Sequence, residues 1–500
     1  WIVSIEHIHL AIYIMFLIAI LVSERSPETI VAWIFTITVF PVFGFILYLV
    51  FGINWRKNRI ESLQNKNRRS LFKGFPSLTK NFLKYDPAEI FHSRKVKPED
   101  LDILMNNAGL SQEESEIVKL LYTSEGTYLT HNSSYEMFYD GKEAFDSIIQ
   151  DLENAKETIY MEYFIWKSDK LGEKIKDILV KKAKEGVKIR LLFDGMGSFG
   201  TISEKYRKEL LKVGVEFKYF LDIKFALSKI NYRNHRKITI VDNRILHTGG
   251  MNLGEEYITG GRRFESWRDT NVRIQGELVL HYLAIFVTDW LNSGGKQDFN
   301  MDDIEEVIEE HKKIREDSPY LMQVSASGPD TIWTTLKYTY SKLITSAKKE
   351  ILIQSPYFIP DTSLVSQLKI AALSGVKIKL MIAGVPDKKI PYWIAETYFA
   401  ELLLAGVEIY RYKAGFIHCK NIVIDGKMST MGTCNFDMRS FEINYEVNSI
   451  FYNEEISQSI RNQFYKDLDF CEEIKEENLK ETVFWRKIRN SLFRVVSPLM

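Results

Sequence analysis

The chain has 500 residues, enough for two or three domains with full cores. Lys plus Arg and Asp plus Glu balance at 66 each, so net charge alone names no partner. Three cysteines, Cys419, Cys434 and Cys471, exclude a disulfide framework and lack paired metal-ligand spacing, which points to small buried thiols in a reduced, cytosolic main body.

Two apolar runs open the chain: His9–Val22 (HLAIYIMFLIAILV) and Ile30–Ile53 (IVAWIFTITVFPVFGFILYLVFGI). The second carries no charge and is long enough to span a hydrocarbon core of about 30 Å. Its Pro41 is compatible with a kinked membrane helix. The first run reaches that length only by borrowing from WIVSIEH. A signal peptide fits poorly, because no basic segment precedes the first run and another apolar run follows at once. Arg56, Lys57 and Arg59 come directly after the second run, so this side is predicted to face the cytoplasm, with SERSPET outside. Residues 1–55 thus predict a transmembrane helical hairpin. Residues 56–130 predict a basic juxtamembrane linker region, where Lys66, Arg68, Arg69 and Lys73 extend the positive charge. Such a stretch can rest on anionic headgroups, at about 1 kcal/mol per Lys or Arg.

Past residue 130 helical and strand patterns alternate, which predicts an α/β class. The halves repeat each other. NAKETIYMEYFIW, KKAKEGVKIRLLFDG and ELLKVGVEFKYF are matched in order by SAKKEILIQSPYFIP, KIAALSGVKIKLMIAG and ELLLAGVEIYRY. Each series ends in a His-x-Lys strand and a Gly-rich turn closing on Asn. The chain therefore predicts two tandem domains, 131–300 and 318–500. They are separated by an acidic segment in which NSGGKQDFNMDD breaks periodicity and IEEVIEEHKKIRE forms a connecting helix.

In the first copy the repeated residues are His235, Lys237, Asp242, Gly249 and Asn252; in the second, His418, Lys420, Asp425, Gly432 and Asn435, at identical spacing. Residues two apart on a strand share a face, so each histidine points with its lysine. Asp242 and Asp425 lie an odd number of positions further on, which predicts that they face away and serve structure. A nucleophilic or proton-carrying imidazole needs an orienting acceptor. RFESWRDTNVRI and SFEINYEVNSIF align so that Asp269 stands opposite Glu446, and the expectation is that Asp269 orients His235 and Glu446 orients His418. Lys and Asn supply donors for the non-bridging oxygens of a phosphate, while one histidine attacks phosphorus and the other protonates the departing alkoxide. Two copies facing each other would make one phosphodiester site, with the lysines in the place of a metal.

These paired motifs resemble the His-Lys-Asp signatures of the phospholipase D superfamily. The apolar N-terminal pair with FPVFGFILYLVFG, the RNHRK lead-in, WRDTNVRIQG, SGPD, QSPYFIPD, FDMRSFEINYEV and the terminal SPLM extend the resemblance to its bacterial cardiolipin synthases, over nearly the whole chain. The resemblance implies two tandem phospholipase D-like domains, each a mixed sheet flanked by helices, behind the membrane hairpin. It implies a multi-pass protein of the bacterial cytoplasmic membrane, with its catalytic domains in the cytoplasm. The reaction implied turns two phosphatidylglycerols into cardiolipin plus glycerol through a phosphatidyl-histidine, with no cofactor or metal. By the same analogy His235 is the nucleophile and His418 the acid/base. The family's usual Ser or Thr after the motif glycine is Thr433 in the second copy and Gly250 in the first, so the two halves cannot have identical hydrogen bonding.

The implied partners are phosphatidylglycerol, other anionic phospholipids and the membrane, rather than nucleic acid, which a membrane anchor would reach awkwardly. A phospholipase D hydrolase and a phosphatidylserine-forming transferase share the core chemistry and differ only in the acceptor. A non-catalytic scaffold would be expected to have lost one of the four His and Lys residues. The C-terminal ETVFWRKIRNSLFRVVSPLM places Phe484, Ile488 and Leu492 at helical spacing beside Arg486, Lys487, Arg489 and Arg494. That pattern suits a helix in the membrane interface or one packed on the second domain.

Overall fold

The sequence repeat folds as a structural one. A computed structural model describes residues 5–23, 27–52, 109–220, 231–299, 301–314, 320–477 and 484–497. From its outer edge inwards, the first copy orders its strands Glu216–Phe220, Lys188–Asp194, Thr158–Tyr163, Lys237–Val241, Ile245–Gly249, Asn271–Gly276 and Thr130–Phe138. The second repeats this order with Glu408–Tyr412, Lys377–Ala383, Glu350–Gln354, Asn421–Ile424, Met428–Gly432, Glu446–Phe451 and Tyr320–Ser327, and adds Cys471–Ile474 outside. The copies join where Thr130–Asn132 pairs antiparallel with Tyr320–Met322, making one 15-stranded sheet. The outer three strands of each repeat are parallel and the rest antiparallel. This is the expected mixed sheet, with helices on its faces.

Burial explains the pattern. Lys188–Asp194 (KIRLLFD) and Thr158–Tyr163 (TIYMEY) are buried along almost their whole length, as near-continuous apolar strands covered on both faces must be. The crossover helices begin at carboxylate caps: Asp140 accepts from the N–H groups of Lys142 and Glu143, Asp169 from Gly172, and Asp361 from Leu364.

The motif aspartates sit in the turns of two hairpins. Asp242 and Asn243 have φ of 51° and 55°, and Asp425 and Gly426 have φ of 53° and 66°, left-handed pairs that turn the chain in the three-residue loops between Val241 and Ile245 and between Ile424 and Met428. The Asp242 carboxylate accepts from the backbone N–H groups of Lys156 (2.9 Å), Glu157 (2.8 Å) and Thr158 (2.9 Å). Asp425 does the same for Lys348 (2.9 Å), Lys349 (2.7 Å) and Glu350 (2.8 Å). Each therefore pins the start of the neighbouring strand, on the side away from the histidines. Asp242→Ala is expected to cost about 2–3 kcal/mol, from three lost charge-assisted bonds and a strained Cβ at positive φ. A thermal midpoint lowered by several degrees, with turnover per folded molecule retained, is the result that checks this.

Two features depart from the sequence reading. The helix Gln112–Glu125, inside the stretch read as linker, starts at a capping box between Ser111 and Glu114 and buries Ile117, Val118 and Leu121. These pack with Leu336, Tyr340 and Leu343 in the core of the second copy. At the N-terminus the second apolar run is not one continuous helix. It divides into Pro27–Val39, Pro41–Leu47 and a π-helical turn Tyr48–Gly52. Pro41 has no N–H to continue the ladder and its ring blocks the preceding turn, so the helix stops at Phe40. Ile5–Leu21 is 17 residues long, and among the described residues no helix is long and apolar enough to cross a membrane. Ile20, Trp33, Ile37 and Tyr48 bring the pieces together in a small core of their own. The basic stretch 56–73 lies outside the described residues.

Candidate active site

Both histidines lie just before a central strand, at the end of the sheet where the two copies face each other. His235 and His418 are each 8% exposed, and Asp269 and Glu446 are completely buried. The carboxylate pairing is the reverse of the one expected. His235 Nδ1 is 2.9 Å from Glu446 Oε2, and His418 Nδ1 is 2.6 Å from Asp269 Oδ2, so each imidazole is held by the other copy's carboxylate.

The exchange follows from how the backbones cross. Phe416–Ile417, leading into His418, pairs in parallel with Trp267–Arg268, leading into Asp269. The His418 N–H then donates to the Arg268 carbonyl at 2.7 Å. In the mirror contact Asn234 bridges to Tyr445, the His235 N–H donates to the Tyr445 carbonyl at 2.9 Å, and the Tyr445 N–H to that of Arg233 at 2.8 Å. The residue after each strand contact thus brings a histidine from one copy against a carboxylate from the other.

Around His235 the Thr433 carbonyl lies 3.0 Å from Nδ1. A carbonyl only accepts, so Nδ1 carries the proton and Nε2 keeps its lone pair. Gly250 has no room for a side chain: a Cβ there would lie 2.1 Å from Asp269 Oδ1. At the matching position Thr433 is accommodated, and its hydroxyl accepts from the Val447 N–H at 2.9 Å. The Gly/Thr difference between the copies is thus matched to the carboxylate beside each.

Lys237 Nζ donates to the His235 carbonyl at 2.5 Å, and Lys420 Nζ to that of His418. Burial pushes both imidazoles down to about 4, with Lys237 and Lys420 each lowering both and the paired carboxylates opposing. The charges of both lysines thus reach both imidazoles, in keeping with the exchanged pairing that joins the two sets. Burial likewise pushes Lys237 down to about 7, against the pull of Glu446, and lowers Lys420. Burial alone would raise Glu446, but His235 and Lys237 outweigh it and hold the carboxyl below its ordinary value. In the ligand-free state the neutral His235 imidazole therefore donates to an ionised Glu446 carboxylate.

The motif asparagines differ. Asn252 Oδ1 accepts from the Ile165 N–H at 3.1 Å and its Nδ2 donates to the Tyr257 hydroxyl at 3.0 Å. Asn435 Oδ1 is buried and has no hydrogen-bond partner among the described residues. Gly249 and Gly432 end their strands where a Cβ would strike Thr270 O and Val447 O, at 2.3 Å in both cases. Cys419 and Cys434 are buried and free.

Two residues lie at the site without any signal in the motif spacing. The Tyr257 hydroxyl is 3.4 Å from His418 Nδ1, and the Phe164 ring stands edge-on to His235 at 5.1 Å with Lys237 Nζ 5.6 Å from its centre. Beneath them runs a buried polar layer that RNHRK announces: Asn234 bonds Glu162, Arg236 pairs with Asp289, and Asp194 takes the Asn234 N–H at 2.7 Å.

A duplicated sheet with a His-Lys set in each copy, and the carboxylates exchanged, defines a phospholipase D-like enzyme. The family described as "Cardiolipin synthase, PLD-like domain" matches residues 148–290 and 340–468, and "Phospholipase_D-nuclease N-terminal" matches 11–52. The chain belongs to the cardiolipin synthase family and is a phosphatidyltransferase of phospholipid biosynthesis. It is 37% identical over 484 residues to a cardiolipin synthase of Clostridium perfringens strain SM101, covering 96% of each chain. It is 35% identical over 503 residues to one of Halalkalibacterium halodurans, covering 100% of this chain and 95% of that one. With the major cardiolipin synthase ClsA of Bacillus subtilis strain 168 it shares 34% over 488 residues, covering 97% and 96%. The crystal structure of phosphatidylserine synthase from Haemophilus influenzae shares the fold, with a TM-score of 0.58 at 14% identity, over 77% of this chain and 100% of that one.

Proposed function

We propose that this protein joins two phosphatidylglycerol molecules into cardiolipin and glycerol through a phosphatidyl-histidine. The observation that carries the reading is the exchanged pairing, His235 with Glu446 and His418 with Asp269, which makes the two copies halves of one site. His235 Nε2 attacks the phosphorus of the first lipid, and the bond to the glycerol headgroup oxygen breaks. His418 gives that oxygen its proton, and free glycerol leaves. His418 then takes the proton from a headgroup hydroxyl of the second lipid, whose oxygen attacks phosphorus and releases His235. Lys237, Lys420, Asn252 and Asn435 supply donors to the phosphate oxygens throughout. His235 is favoured as nucleophile because its Nδ1 faces two acceptors, while His418 also meets the Tyr257 hydroxyl, which can donate or accept. An entering phosphate brings negative charge to both imidazoles, so His418 gains its proton together with the substrate.

The apolar hairpin is read as the membrane-inserted part. Leu10, Met15, Ile18, Val22, Phe40, Val42 and Phe43 all point outward, a surface that water would not sustain. The positive charge after it puts the catalytic domains on the cytoplasmic side.

Labelled phosphatidylglycerol given to the purified full-length protein should yield labelled cardiolipin and free glycerol. Phosphatidic acid as the sole product would mean that water is the acceptor and would overturn the reading.

The pH profile follows from the buried charges. kcat/KM reports the free enzyme, in which Lys237 titrates at about 7 and the histidines at about 4. His418 acts protonated but is neutral in the free enzyme above about 4, so kcat/KM should decline as pH rises above about 4, and more steeply through about 7, where Lys237 loses the charge it acts with. His235 acts unprotonated, so kcat/KM should also fall as pH drops through about 4. An alkaline limb left where an ordinary lysine titrates, at about 10.4, would remove Lys237 from this role.

A further inference from the structure

We propose that the C-terminal helix Phe484–Val496 and the helix Lys389–Leu404 form a binding site for the phosphate of an anionic bilayer phospholipid, separate from the catalytic centre. Several polar groups of the C-terminal helix contact the neighbouring helix: Arg486 Nη2 donates to Glu396 Oε1 at 2.5 Å and the buried Asn490 donates from Nδ2 to Glu396 Oε2 at 2.8 Å, while Lys487 is exposed. Arg489 lies 3.9 Å from the centre of the Trp393 ring, and Arg494 lies 4.2 Å from that of Tyr398. Phe493 packs on the core of the second copy, but four large apolar residues face out, with Phe484 68%, Trp485 73%, Leu492 52% and Val495 42% exposed. A helix packed simply to complete a soluble domain would bury that apolar face.

Two observations say what covers the outward face. First, the same helix packs against Pro27–Val39 of the apolar hairpin, whose Val31, Phe35 and Val39 are themselves exposed. The bare stripe is thus continuous with the segment read as membrane-inserted. Second, a cavity of about 510 Å³ opens between the helices, lined by Trp393, Trp485, Arg486 and Arg489. The charge around it is positive in excess: Arg411 and Arg486 share Glu396, while Lys369 and Arg494 share Glu401. Among the described residues neither Arg489 nor Lys487 pairs with a carboxylate. Guanidinium groups held on aromatic faces, Arg489 on the Trp393 indole and Arg494 on the Tyr398 phenol, match a phosphate by charge and geometry, and the exposed apolar stripe beside them matches acyl chains. That combination fits a phospholipid better than a soluble anion. It carries no assumption about what the histidines do.

The test uses the full chain in nanodiscs of phosphatidylcholine, with and without phosphatidylglycerol, read by backbone hydrogen exchange over residues 484–496. Phosphatidylglycerol should slow that exchange about tenfold in the wild type. Arg489→Gln should lose the difference and Arg489→Lys should keep most of it, while brominated phosphatidylglycerol should quench wild-type indole fluorescence more than Trp485→Phe fluorescence. Equal wild-type exchange in both kinds of disc would overturn the proposal, whatever the variants do. So would an equal slowing by soluble glycerol phosphate or a soluble polyanion, which would make the site one for free anions.

Discussion

His235→Ala and His418→Ala are each expected to reduce cardiolipin formation by a factor on the order of 10^6, the scale on which paired catalytic groups fail when either is removed. They should stop the reaction at different points. Without His235 there is no nitrogen to attack phosphorus, so no covalent adduct forms with any substrate. Without His418 the nucleophile remains, held by Glu446 and the Thr433 carbonyl. What is lost is the proton for the leaving glycerol. An aryl phosphodiester needs no such proton, so His418→Ala should still release one equivalent of phenolate and hold the label on His235. Single-turnover labelling followed by peptide mapping reads this directly. Label found on His418 in the His235→Ala protein would reverse the two roles, and steady synthesis by either variant would dissolve the joint site.

The second large effect lies in the exchanged carboxylates. Glu446→Gln and Asp269→Asn keep the shapes of the side chains but allow the amide to donate where the imidazole now donates. An imidazole forced into the wrong tautomer offers Nδ1 instead of Nε2, and the analogous change in a serine protease triad costs about 10^4 in kcat. The loss should fall on kcat far more than on KM, because neither carboxylate faces the lipid. It should also sort by partner. Glu446→Gln, although it lies in the second copy, should mimic the loss of His235 in the first and block adduct formation. Asp269→Asn should mimic the loss of His418 and leave adduct formation from an aryl substrate intact. The opposite sorting would restore the pairing within each copy that the alignment suggested.

That misassignment marks where sequence reasoning stops. The repeat, the His-Lys sets and both carboxylates were legible, because identical spacing in two blocks is a strong pattern. Strand parity also separated Asp242 and Asp425 from the chemistry, and the structure puts them in left-handed turns, bonded to backbone N–H groups. An alignment of two copies, however, matches residues and does not say which copy's strand each segment will pair with. The exchange depends on short contacts such as Phe416 with Trp267, two residues long and without a pattern of their own. Tyr257 escaped for a related reason, since it reaches His418 from a four-residue helix in the other copy. Pro41 was visible in the sequence. What was not visible is that Gly44, whose absent Cβ would lie 2.7 Å from the Thr36 carbonyl, lets the chain pack back on itself after the break.

The helix Gln112–Glu125 has a consequence for how the molecule is made and divided. It is synthesised before the first copy yet completes the core of the second, on which Ile117, Val118 and Leu121 close. Cutting at the acidic segment would give a C-terminal fragment lacking these three side chains, each contributing about 1.5–3 kcal/mol. It would also lack the Glu125 carboxylate, which accepts from the Ser325 hydroxyl and the Ala326 N–H, both at 2.9 Å. On the ribosome, the early helix must wait until more than two hundred further residues emerge before its partner Thr335–Ser346 exists, a long closure that slows folding. The repeat is tandem in sequence, but the second folding unit is split around the first, and it can close its core only with a helix made before the first copy.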